Sequence, residues 1–304
     1  MRDRRSLFAV LLGAGLVLGA PAFAQQDKIR LVATTSILAD FARNVGGDRV
    51  HVTALVGPNG DAHVYAPTPA DAKTLSEAKI VVLNGLGLEG WMTRLVKASG
   101  AKAPMVVATT GIKPLKMEED GHGHGHGHAE TDPHAWQSVA NARIYVANIR
   151  DGLAAIDPEN AAFYSNQAAA YLTKLDLLET EVKAAIAKIP ADRRKIITTH
   201  DAFGYFAAAY GMTFIAPQGV STEAGISARD VGRIIRQIKR QKIPAVFLEN
   251  ISDPRVMERI AAESGAKVGG TLYSDSLSDE KGPAATYLDM MRNNIREFSL
   301  ALTS

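Results

Sequence analysis

The sequence predicts an α/β protein of two lobes, each a mostly parallel sheet flanked by helices, joined by one long rigid helix. Three observations predict it. Short β-branched runs alternate with helical periodicities, the alternation occurs twice, and one long helical stretch separates the two sets. Strands joined through helices pair in parallel, and sheets covered on both faces read as continuous apolar runs. A chain of 304 residues, 46% of them hydrophobic, is long enough to bury two such cores.

Residues 1–24 open on Arg2, Arg4 and Arg5, continue through the apolar run Leu7–Gly19 and close on Ala22-Phe23-Ala24. They read as a secretory signal peptide cleaved after Ala24, because the run is short of the roughly 20 residues that span a bilayer. Arg4-Arg5-Ser6-Leu7-Phe8 also loosely resembles a twin-arginine signal, so both export routes stay open, and both end outside the cytoplasm. Residues 25–156 form the first lobe. Its strands are expected at Ile29–Thr34, Val50–Val56, Lys79–Leu83 and Pro104–Ala108, with helices at Ile37–Val45, Pro69–Ala78 and Trp91–Ala98. Within it, residues 118–130 carry His122, His124, His126 and His128 alternating with glycine and flanked by acids, a pattern that disfavours helix and strand and predicts a loop.

Residues 157–188 are the linking helix. Asp157 is placed to cap it, Pro158 suits its first turn and Pro190 stops it. Pro158 to Lys188 is 31 residues, about 46 Å at 1.5 Å per residue. Tyr164, Ala168, Tyr171, Leu172, Leu175, Leu178, Val182 and Ile186 recur at helical spacing. Such a helix can strut both lobes or lie along one surface. Residues 189–304 form the second lobe, with strands at Lys195–Thr199, Met212–Ala216, Ala245–Glu249 and Lys267–Leu272. Helices are expected at Phe203–Tyr210, Ala228–Gln241, Pro254–Ser264 and Ala284–Leu300.

The formal net charge is +2, and removing the leader's three arginines and one aspartate leaves 31 basic and 31 acidic residues. A neutral chain has no basic field for nucleic acid or anionic lipid. There is no cysteine. The exported chain is therefore expected to fold without disulfides, to lack a lipid-attachment cysteine and to be a free periplasmic monomer. Any metal site must use nitrogen and oxygen ligands.

Of eight histidines, four lie in the 118–130 loop and His51 sits near the start of a strand, the wrong end for a ligand site in an open α/β sheet. His63 lies in the loop after the strand ending at Val56. His134 precedes a helix, His200 ends the strand at Lys195–Thr199, and Asp275 follows the strand ending at Leu272. If the lobes face each other across a cleft, these four can converge on one ion. Three imidazoles and a carboxylate suit a borderline metal such as zinc and serve calcium or magnesium poorly. No local spacing motif supports the cluster, and each histidine taken alone reads as a surface or capping residue sooner than as a ligand.

Four segments resemble the cluster A-I solute-binding proteins of ABC importers, the family of zinc and manganese receptors. Gly60-Asp61-Ala62-His63-Val64-Tyr65-Ala66-Pro67-Thr68-Pro69 is similar to that family's first-ligand loop and Thr131-Asp132-Pro133-His134-Ala135-Trp136 to the second. Thr199-His200-Asp201-Ala202-Phe203-Gly204-Tyr205-Phe206 is similar to the third and Leu272-Tyr273-Ser274-Asp275-Ser276-Leu277 to the fourth. The resemblance spans the mature chain, including Asp157-Pro158-Glu159-Asn160-Ala161 at the start of the long helix. It implies a metal receptor with His63, His134, His200 and Asp275 as ligands and a membrane permease with its ATPase as partners; the histidine-rich loop is expected to scavenge zinc or receive it from a periplasmic donor, its alternative being a dispensable tract. Manganese receptors of the family often carry glutamate where His200 stands, and histidine-rich loops are typical of zinc receptors. Zinc is thus the expected cargo, with manganese the alternative, since some three-histidine, one-aspartate members take it. Alanine stands at position 62 where many relatives have proline, which implies a freer loop. The stiff helix implies limited lobe closure, with release through small shifts of the His200 or Asp275 loops.

Three rivals are weaker. A zinc hydrolase needs an open coordination position and a base; Asp275 closes the position, and Glu249, the spare base at the end of its strand, reads as structural. Gly85-Leu86-Gly87-Leu88-Glu89-Gly90 matches the dinucleotide fingerprint, but the ribose-binding acid is missing at 108–112 and the turn is the third, not the first. An adhesin role has no residues that specify it. Loop histidines should lose metal as pH falls toward about 6.5, and a prearranged buried site should resist acid better.

Overall fold

A computed structural model describes residues 27–116 and 131–303. The leader at 1–24 and His122, His124, His126 and His128 lie outside the described residues.

The first sheet comprises β1 (Ile29–Thr35), β2 (Val50–Val56), β3 (Ile80–Leu83) and β4 (Met105–Val107), in the order β2-β1-β3-β4 with every pair parallel. Helices α1 (Ser36–Gly46), α2 (Pro69–Ser76) and α3 (Met92–Ser99) make the crossovers. The second sheet repeats the order as β6-β5-β7-β8, from β5 (Lys195–Ile197), β6 (Thr213–Ile215), β7 (Ala245–Glu249) and β8 (Lys267–Leu272). It carries α6 (Gly204–Tyr210), α7 (Ala228–Gln241), α8 (Arg255–Ser264) and α9 (Tyr287–Leu302). In each sheet the strand order reverses between the first and third strands, where open α/β sheets place ligands beyond the strands' carboxyl ends.

Local chemistry sets the boundaries. Thr68 and Asp71 form a capping box around Pro69 and start α2, while Ser227 and Thr286 cap α7 and α9. The Thr286 cap starts α9 at Tyr287 and not at Ala284. The ladder of β5 ends at Ile197, because the amides of Thr199 and His200 turn to the Glu249 carboxylate.

Two helices lie between the sheets. α4 (Val139–Ile156), of which the sequence pattern marked only the start, packs on β3 and β4. The long helix is a 3-10 turn at Pro158–Asn160 followed by α5 (Ala161–Ala187), 27 residues or about 40 Å. Asp157 does not cap it as expected. Its carboxylate accepts instead from Asn160 Nδ2 and Tyr164 Oη, and its amide closes α4 on Leu153. All the expected apolar positions of α5 are buried except Leu172, which is half-buried. They pack against α1 and α4 on one side and α6 and α9 on the other, so α5 struts both lobes.

The main core runs through the first lobe and α5 into α6 and α9. In the second lobe the Phe298 ring meets Phe206, Phe214 and Phe247 at centroid distances of 5.6, 5.8 and 5.4 Å, within the favourable range for aromatic pairs. A smaller, separate core unites α7 and α8 with Ile197 and Val246. Among the described residues no helix is long and apolar enough to cross a membrane.

Candidate metal centre

The four expected side chains meet. One potential ligand atom from each of His63, His134, His200 and Asp275 lies within 4.8 Å of the others, and all four residues are buried. His63 comes from the loop after β2 and His134 from the 3-10 turn before α4, while His200 and Asp275 follow β5 and β8. Asp275 Oδ2 lies 3.1 Å from His63 Nε2 and 3.3 Å from His200 Nε2, and Oδ1 lies 3.6 Å from His134 Nε2. His51 is exposed on β2 and takes no part.

Carboxylates behind the centre orient two of the rings. His134 Nδ1 is 2.8 Å from Asp132 Oδ1, and His200 Nδ1 contacts Glu249 Oε2. A carboxylate on Nδ1 holds the proton there and leaves Nε2 free for a cation. Glu249 stands at the end of β7, beside β5 at the second sheet's switch point, and its Oε1 also accepts from the Thr199 and His200 amides. Sequence reading placed it as structural and missed this pairing, because no local motif connects residues 49 apart. The signal for Asp132 was nearer: it stands two residues before His134.

The Asp275 loop is gripped from both lobes. Ser274 O accepts from Trp136 Nε1 and Gln137 Nε2, both at 2.8 Å, and Leu277 N donates to Ser36 Oγ at 3.0 Å. Asn59 N donates to Leu277 O at 2.9 Å, and Asn250 Nδ2 to Ser276 Oγ at 3.0 Å. The loop at position 62 is also held: Trp91 Nε1 donates to Ala62 O at 2.8 Å and His63 N to Asp61 Oδ1 at 2.9 Å.

Within this frame neither Asp275 oxygen nor His200 Nε2 makes a hydrogen bond. A buried carboxylate without donors is costly unless a cation compensates it. Burial alone would push the Asp275 carboxyl up, but the His200 and His134 imidazoles outweigh it and hold it well below the usual range. Burial likewise pushes His134 down, yet Asp275 and Asp132 overcome this and raise it to about 9. Glu249 and Asp275 raise His200 well above its ordinary value against the same burial. The carboxylates that would attract a cation attract protons as well.

The glycine-rich turn has a different occupant from a phosphate. Gly85 and Gly87 take positive φ angles of 83° and 90°. Their neighbour Glu89 folds into the turn, accepting from Asn84 N at 2.6 Å, Gly85 N at 3.0 Å and Thr34 Oγ1 at 2.6 Å. The amides that would cradle a dinucleotide are satisfied internally.

Residues 31–301 match the family model described as the periplasmic component A of a zinc-uptake complex. The chain is 34% identical over 268 residues to the iron-binding protein YfeA of Yersinia pestis, covering 88% of this chain and 84% of that one. It is 31% identical over 305 residues to the manganese ABC transporter substrate-binding lipoprotein PsaA of Streptococcus pneumoniae, covering 98% and 97%. The solved structure of the periplasmic zinc binding protein TroA from Treponema pallidum superposes with a TM-score of 0.85 at 30% identity, covering 91% and 100%.

Proposed function

Because the chain belongs to the family of periplasmic zinc-uptake component A proteins, we propose that it captures zinc in the periplasm through His63, His134, His200 and Asp275 and delivers it to an ABC importer. The family's members are extracytoplasmic metal receptors, not enzymes, and work with a membrane permease and an ATPase. The observation that carries the reading is the buried cluster of three imidazoles around a carboxylate whose oxygens have no donors. Three nitrogens and one oxygen form a donor set that zinc accepts at tetrahedral geometry.

Manganese is the second reading, and one feature favours it. Both Asp275 oxygens face imidazole nitrogens, so the carboxylate can offer two donors and a higher coordination number. Oxygen-richer sets suit manganese, and relatives named for manganese and for iron stand beside the zinc-binding one.

Competitive titration of metal-free protein lacking residues 121–128, with zinc and manganese against chelators of known affinity, decides between them. Tight one-to-one zinc binding with weak manganese binding supports the zinc receptor. Comparable or tighter manganese binding keeps the centre and overturns the cargo. The full chain should bind more zinc per molecule than the deletion variant, through weak sites at His122, His124, His126 and His128. Equal stoichiometry would show that the tract binds nothing measurable.

The outer carboxylates support the same reading. Glu249→Gln keeps the size of the side chain but removes the charge behind His200, and should weaken metal binding about 10–100-fold. Titration of that variant at wild-type affinity would leave Glu249 a purely structural residue.

A further inference from the structure

Among the described residues a cleft opens beside His63, a cavity of about 490 Å³ whose walls include His63, Leu86, Leu88, Pro133, Val220 and Glu223. His63 is the ligand at its floor, 8% exposed where the other three are 0–1% exposed. One wall is the connection between β6 and α7. From it, Thr222 Oγ1 donates across the cleft to Asp61 Oδ2 at 2.6 Å. The other oxygen of the same carboxylate, Asp61 Oδ1, accepts from His63 N at 2.9 Å.

The far end of the connection is tied beside a second ligand, where Asp201 N donates to Gly219 O at 3.2 Å next to His200. Gln218 Nε2 donates to Thr222 O and Ala224 O, at 2.9 and 2.6 Å, and gathers the segment into one unit. The segment leads into α7, whose Val231, Ile234 and Ile238 pack in the smaller core and not in the main one. Lifting the segment would therefore disturb the smaller core before the main one.

We propose that the Thr222–Asp61 hydrogen bond is a latch that sets how fast metal passes between the cleft and solvent, with Asp61 a positioning residue for His63. The proposal rests on the four-ligand reading above. Passage in either direction requires the segment to lift from the His63 loop, and lifting breaks this bond. The latch therefore adds to the barrier for uptake and for release alike and alters affinity little. Asp61 differs from Thr222, since it also holds the ligand's own backbone.

The test is stopped-flow zinc uptake, and release to excess chelator, by the mature chain. Tryptophan fluorescence can report both, because Trp91 bonds the carbonyl before His63 and the Trp136 ring lies 5.3 Å from that of His134. Thr222→Val should speed both steps about tenfold, the factor for about 1.4 kcal/mol, near the low end for a hydrogen bond to a charged group. Its equilibrium affinity should stay within about threefold of wild type. Thr222→Ser keeps the hydroxyl and should restore wild-type rates, whereas Asp61→Ala should release faster and also bind more weakly. Wild-type rates in Thr222→Val, or a serine variant as fast as the valine one, overturn the latch alone. A wild-type chain that binds no zinc tightly overturns the four-ligand centre, and the latch with it.

Discussion

Asp275→Ala should weaken zinc binding by roughly 10²–10³-fold. A four-ligand zinc centre contributes about 10–16 kcal/mol, or about 2.5–4 kcal/mol per ligand, and each 1.4 kcal/mol is about tenfold. Asp275 belongs at the upper end of that range. It is the one anion among the four residues, it is 1% exposed, and its oxygens face all three imidazoles. His63→Ala belongs at the lower end, since water from the cleft can take the vacated position. Asp275→Asn keeps the volume without the charge and should resemble alanine more than wild type. The loss should be chemical and not a failure to fold, because the loop is held through Ser274 O, Leu277 and Ser276. Competitive titration of the three variants checks the ranking, and an Asp275→Ala affinity within about threefold of wild type would remove Asp275 from the site.

Metal affinity should rise with pH about tenfold per unit for each imidazole proton displaced, across the window from about 6.5 to about 9. His134 is raised to about 9, so without metal its ring carries an extra proton at neutral pH, and Glu249 and Asp275 push His200 in the same direction. A metal must expel those protons to reach the nitrogens. The stability of the metal-free fold runs the other way. His134 has a higher pKa folded than its unfolded value near 6.5, so its contribution is fully present below about pH 6.5 and is lost as pH rises through about 9. Asp275 is depressed, so its contribution is present above its unfolded value near 3.9 and is lost as pH falls through the folded one. Metal-free protein should thus melt at a lower temperature at pH 9 than at pH 6, while metal-loaded protein gains stability relative to it over that interval. Melting curves of both forms and calorimetry in buffers of different ionisation heat measure the two slopes. An affinity that is flat from pH 6.5 to 8.5, without proton release, would mean that the imidazoles are neutral before metal arrives.

Much of the architecture was legible in the chain because local rules suffice for it. Short apolar, β-branched runs marked the parallel strands, the stretch Pro69–Ala78 marked a helix, and the period of Tyr164 to Ile186 marked the buried face of α5. The same rules misread Asp157. An aspartate before a proline looks like a cap, but the tyrosine seven residues along competes for its carboxylate.

The residue types of the centre were also readable, since loops after strands carry His63, His200 and Asp275, and Asp132-Pro133-His134 opens a turn. What the sequence by itself determined is therefore local: strand and helix periods, caps, and the kinds of donor available at the ends of strands. Tertiary structure alone decided their convergence, because four side chains spread over more than 200 residues share one point only when α5 and the two sheets set the lobes face to face. It also decided the pairing of His200 with Glu249, the filling of the glycine turn by Glu89 and the bond from Thr222 to Asp61. Each joins groups through space, and the proton affinities of the histidines follow from those distances, which no residue pattern along the chain contains.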